Sequence, residues 1–186
     1  YTPYSLAGIR ATEKTVVERI PPRKIIRENA VMELPHILLF ADDEKDVMCG
    51  YLESVKKELP KIYDFDLMEE GGRICGWLVS GEALLAFTEK MEDYGDFIVQ
   101  KYMDSKKMPM MFAVADGNHS LATAKACYED IKLKNAWQNL SNHPAKYALV
   151  EIVNIHDEAQ KFEPIHRIVK NVDVNAILGA LILDSC

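Results

Sequence analysis

The chain has 186 residues, 48% hydrophobic and 27% charged, with 22 basic against 29 acidic residues and a formal net charge of −7. Roughly 100–200 residues make one domain, so a single domain over residues 1–186 is the default, and the apolar content suffices for a core and excludes a disordered chain. No stretch approaches the roughly 18 uncharged apolar residues of a membrane span, and the acidic balance argues against a nucleic-acid partner, whose phosphates demand a broad basic face.

In chain order, Thr12 to Arg19 reads as a short charged helix with Thr12 as its cap, interrupted by Pro21-Pro22. His36 to Ala41 reads as a buried strand ending at Asp42-Asp43. Glu44 to Leu59 has helical spacing, with Val47, Tyr51, Val55 and Leu59 on one face and Pro60 as its stop. Ile62 to Met68 alternates as a strand, Gly71-Gly72 marks a turn, and Arg73 to Val79 returns, which predicts a hairpin. Gly81 to Met91 and Gly95 to Met103 suggest two helices. Met110 to Ala115 is an apolar strand, Asp116-Gly117-Asn118-His119-Ser120 a polar elbow, and Leu121 to Lys132 a helix. Tyr147 to Ile155 follows as a strand, Phe162 to Val169 as an extended stretch and Val174 to Leu183 as a terminal helix. The alternation of helices and strands predicts an α/β (α+β) fold, a small mixed sheet flanked by helices.

Cys49, Cys75, Cys127 and Cys186 are scattered, with no CxxC pair and no metal-ligand spacing, so they read as ordinary core or surface residues of a cytoplasmic protein, with an oxidised pair as the alternative. No pair of histidines has the HxxxH spacing of a helical zinc site, so a dedicated metal centre is not expected. Asp42-Asp43-Glu44 reads as a solvated helix start rather than a cation cage. The first residue is Tyr1 and the end at Cys186 is abrupt, as expected of a piece of a longer chain.

The elbow carries the chemistry. Where a strand gives way to a helix, backbone N–H groups are free and the helix dipole favours an anion. Gly117 lets the main chain come close to a phosphate, Asn118, His119 and Ser120 add donors, and Asp116 could position a hydroxyl, accept a proton or hold Mg²⁺. The residues alone leave a second reading open, in which Asp116 or Ser120 caps the helix, Gly117 permits the turn and His119 packs against a neighbour. Glu13, beside Arg10 and Lys14, reads either as a base brought to the cleft or as a solvated helical face. His166 and Arg167 point to opposite faces of an extended stretch, so one of them at most supplies a second anion contact.

The stretch from Ala115 to Ala124 resembles the ADGHHR-type motif of the family numbered 1015 among domains of unknown function. Arg10-Ala11-Thr12-Glu13-Lys14-Thr15 with Arg19, and Phe162-Glu163-Pro164-Ile165-His166-Arg167-Ile168-Val169, are similar to further segments of that family in the same order. The family is similar to the ParB-like and sulfiredoxin-like superfamily and to archaeal ParB-related kinases of free serine. Asp116, Gly117 and His119 fall on motif positions, whereas Asn118 replaces the first histidine and Ser120 the arginine.

The resemblance implies a nucleotide-dependent phosphotransferase using ATP or ADP with Mg²⁺ on a small hydroxylated metabolite. Asp116, Glu13 and His119 would then be catalytic, and Gly117, Asn118, His119, Ser120, Arg10 and Arg167 would hold phosphate. The alternative is a module that binds a nucleotide or phosphometabolite without catalysis. Neither reading requires a nucleic acid or a membrane as partner.

Overall fold

The computed structural model describes residues 7–32, 34, 36–103, 108–161, 166 and 168–184. Among them the fold is mixed α+β: a four-stranded sheet in the order β1-β5-β2-β6, a separate two-stranded sheet β3-β4, and five α-helices. The strands are β1 Ile9–Ala11, β2 Leu38–Ala41, β3 Lys61–Asp66, β4 Arg73–Trp77, β5 Phe112–Asp116 and β6 Glu151–Asn154. The helices are α1 Ile20–Glu28, α2 Val47–Val55, α3 Gly81–Lys101, α4 Asn118–Lys134 and α5 Val174–Asp184.

Central strand β5 runs parallel to β1 and antiparallel to β2, which is parallel to β6. Its apolar run suits a strand with a neighbour on each edge. Leu39 and Val114 face each other in register, and with Ile37 they form a buried cluster against which Leu121 of α4 packs. Further along the same face, Ala41 joins Met48 of α2 and Tyr94 and Ile98 of α3 in a second cluster. Successive strand residues alternate faces. Arg10, Ala113 and Phe40, paired across three strands, therefore share the other face, beside a cavity of about 480 Å³ that Asp42, Tyr102 and Met108 also line.

Four expectations change. Pro21-Pro22 opens α1 instead of interrupting a helix, because the first helical turn has no use for the N–H groups that proline lacks. The stretch at 12–16 is not helical, and the three-residue strand β1 lies just before it. Gly95 sits inside one continuous helix, α3, where a side chain would press on the Met111 methyl at 3.1 Å. Asp43 is buried rather than solvated: its carboxylate accepts the Val47 and Met48 N–H groups, both at 2.9 Å, and so caps α2. The predicted 62–79 hairpin and terminal helix are present. Of the predicted extended stretch at 162–169, residues 162–165 and 167 lie outside the described residues.

Candidate functional site

The elbow forms where β5 ends. Leu39 pairs with Val114 but Leu38 pairs with Asp116, so Ala115 is an extra residue on β5. Such a register shift turns the following side chain to the opposite face. Asp116 thereby leaves the face of Val114, and its exposed carboxylate accepts the Gly117 N–H at 2.7 Å. Gly117 has φ +82°, and a Cβ there would lie 2.9 Å from both the His36 carbonyl oxygen and the Ile37 Cα. The glycine is required by this close approach of the chain's own backbone.

Of the donors opening α4, the His119 N–H goes to Asn118 Oδ1 at 2.8 Å and the Leu121 N–H to the Gly117 carbonyl at 2.9 Å. Among the described residues, the Asn118 and Ser120 N–H groups find no acceptor in the protein. Two polar side chains of the elbow turn inward. Asn118, 3% exposed, donates to Thr15 Oγ1 at 3.4 Å, and His119 Nε2 accepts the Val16 N–H at 2.9 Å. Thr12 adds its own N–H and hydroxyl to the Val114 carbonyl. Residues 12–16 are thus tied at one point to β5 and at two to the elbow, and exposed Glu13 is carried there with them.

Ser120 points elsewhere. Its Oγ lies 2.7 Å from His36 Nε2, and both residues line a cavity of about 650 Å³ between α1, α4 and the 144–147 turn. Arg23 and Arg27, one helical turn apart on α1, line the same chamber. Burial pushes the Arg27 guanidinium below its ordinary range, against a raising influence from Cys127. Lys24, between the two arginines in sequence, pairs with Asp130 and fixes α1 against α4. Among the described lining residues there is no carboxylate. Two arginines of α1 thus share this chamber with Ser120.

The remaining sequence candidates lie apart. Arg10 donates to the Ala7 and Met108 carbonyls and lines the cavity on the other sheet face. Asp116 and Glu13 are not among the residues lining the arginine chamber. Arg167 lies outside the described residues, and His166 is exposed.

Sequence reasoning missed Arg23, Arg27 and His36. The i, i+4 arginine pair was a usable signal, masked by reading the prolines as a stop. The approach of His36 to Ser120, across 84 residues, had none.

One further cluster stands out. Asp42, Glu44 and His156 bring ligand atoms within 4.8 Å of one another, but the Lys101 ammonium bonds both carboxylates and already serves as their cation. Burial pushes the Asp42 carboxyl up, while donation from Lys101, Tyr102 and His156 outweighs that and holds it at about 2.

Compared with known proteins, the chain belongs to the family described as protein of unknown function (DUF1015), whose model matches residues 1–181. No curated protein and no solved structure matches it. Among the described residues, no helix is long and apolar enough to cross a membrane.

Proposed function

We propose that the chamber beside Ser120 receives the phosphate end of a nucleotide, ATP or ADP, and that the protein is a nucleotide-dependent phosphotransferase acting on a small hydroxylated metabolite. The observation that carries this reading is the joint lining of one chamber by Arg23, Arg27 and Ser120, without a carboxylate among its described residues, in a chain of net charge −7. Guanidinium groups pair with phosphate oxygens in a fixed fork and do not titrate away, so they hold a phosphoryl group in one orientation. Ser120, whose N–H has no acceptor among the described residues, adds donors at the mouth of α4. Catalysis of this class is mainly positioning and stabilisation of charge on the transferred group, which this donor set suits.

The chamber's described walls offer no oxygen anion to a metal. A Mg²⁺ entering with a nucleotide would be held by the nucleotide's own oxygens, where it would neutralise charge between phosphates. In a direct transfer from nucleotide to acceptor, Asp116 or Glu13, at the elbow, receives the acceptor's proton, and the likeness to the ParB and sulfiredoxin-like superfamily extends to the placement of the elbow at the cleft.

A binding module without turnover is the second reading. It is favoured by the engagement of Asp116 with the Gly117 N–H and by the absence of both Asp116 and Glu13 from the chamber walls. Calorimetric titration with ATP and with ADP in the presence of Mg²⁺ tests the common claim. Saturable binding that Arg27→Ala weakens is expected, and no heat with either nucleotide contradicts it. Consumption of nucleotide in the presence of hydroxylated metabolites then separates the phosphotransferase from the module.

A further inference from the structure

We propose that Ser120 is a nucleophile and His36 its general base, so that transfer in the chamber passes through a phosphorylated Ser120. For its phosphoryl donor this inference rests on the nucleotide reading above.

The Oγ to Nε2 separation of 2.7 Å lies inside the reach of a serine whose proton is taken by an imidazole. The two residues come from distant parts of the chain, and main-chain structure holds both. Ser120 stands in the first turn of α4, behind the Leu121 N–H to Gly117 bond of 2.9 Å. His36 precedes Ile37, whose carbonyl accepts the Glu151 N–H at 2.8 Å and so ties this segment to β6. Gly117 completes the arrangement, because without a Cβ it lets the His36 carbonyl and the start of α4 come together. A larger residue there would separate nucleophile and base.

The surroundings select the electrophile. Arg23 and Arg27 line the same chamber, and guanidinium forks suit the oxygens of a phosphoryl group better than an uncharged carbonyl. In the first half of the reaction the Ser120 hydroxyl proton passes to His36 Nε2 and Oγ bonds to phosphorus. The bond from phosphorus to the donor's bridging oxygen breaks, and the departing nucleotide, one phosphoryl group shorter, takes the proton from Nε2 on that oxygen. In the second half Nε2 takes the proton of the acceptor hydroxyl, whose oxygen bonds to phosphorus. The bond to Oγ breaks and Oγ recovers the proton. No oxidant or further reactant is required.

A fluorophosphonate tests the nucleophile directly, since attack by an activated serine on phosphorus expels fluoride and leaves a stable adduct. The intact protein is treated with the probe and the adduct is mapped by peptide mass spectrometry, with circular dichroism melting to show that each variant is folded. Labelling at Ser120 is expected, with loss of that adduct in Ser120→Ala. In His36→Gln, which retains a polar partner for Oγ but cannot take its proton, labelling falls by about a hundredfold.

An unlabelled Ser120 in folded wild-type protein overturns the inference, as does an unchanged rate in His36→Gln. ATP titration of the same wild-type protein separates the two readings. Binding without labelling removes the nucleophile and leaves the nucleotide site, whereas labelling without binding removes ATP as the donor and leaves the nucleophile.

Discussion

His119 Nε2 accepts the backbone N–H of Val16 at 2.9 Å, joining residues 103 positions apart. An imidazole nitrogen that accepts a hydrogen bond carries no proton to donate. The most chemically suggestive residue of the elbow thus holds the 12–16 segment in place. Its Nε2 is unavailable as a phosphate donor while that bond persists.

Replacing His119 by Ala leaves the Val16 N–H without its partner and opens space at a residue only 9% exposed. A loss of about 1–3 kcal/mol is expected, with the urea midpoint lowered and the slope unchanged. Wild-type stability in this variant would show that the bond contributes nothing.

Gly117→Ala places a methyl 2.9 Å from the His36 carbonyl oxygen in a residue at φ +82°. Both the left-handed backbone and the contact with rigid main chain oppose it, so the variant should lose about 2 kcal/mol or more. A free turn glycine would instead tolerate Ala with little change. Thermal unfolding followed by circular dichroism distinguishes the two.

Asp42 predicts a pH dependence. Its carboxyl has an ordinary value of 3.8 and is held at about 2 in the fold by Lys101, Tyr102 and His156, against the opposing effect of burial. A depressed carboxyl stabilises the fold above its unfolded value, and that contribution disappears as pH falls through the folded one. Asp42 should therefore supply about 1–2 kcal/mol at neutral pH that is lost between roughly pH 4 and pH 2. Urea midpoints over that range should fall less steeply for Asp42→Asn than for wild type. Parallel curves would mean that the network does not couple to folding.

How much of this was readable without coordinates depended on whether the deciding contact was local. The run Phe112–Ala115, Gly117 and the helical pattern after it disclosed the β5–α4 junction, because each signal acts within a few residues. Gly95 misled for the same reason: a locally unfavourable residue is retained in α3 to admit Met111, which sequence distance hides. Strand β1 spans only Ile9–Ala11 and is held by pairing to β5, so its own pattern is too short to declare it. At the site, position at the helix start was legible and partnership was not. Asn118 and His119 face Thr15 and Val16, Ser120 faces His36, and Arg10 serves the opposite side of the sheet.

In the proposed function, phosphate is held where α1 and the start of α4 meet. Titration of isotope-labelled protein with ATP and Mg²⁺, followed by the backbone amide of Ser120 and the side-chain Nε signals of Arg23 and Arg27, tests it most directly. These three signals should shift together and saturate on one binding curve, and Arg27→Ala should weaken that curve. ATP binding that leaves all three unmoved, or no binding at all, would contradict it.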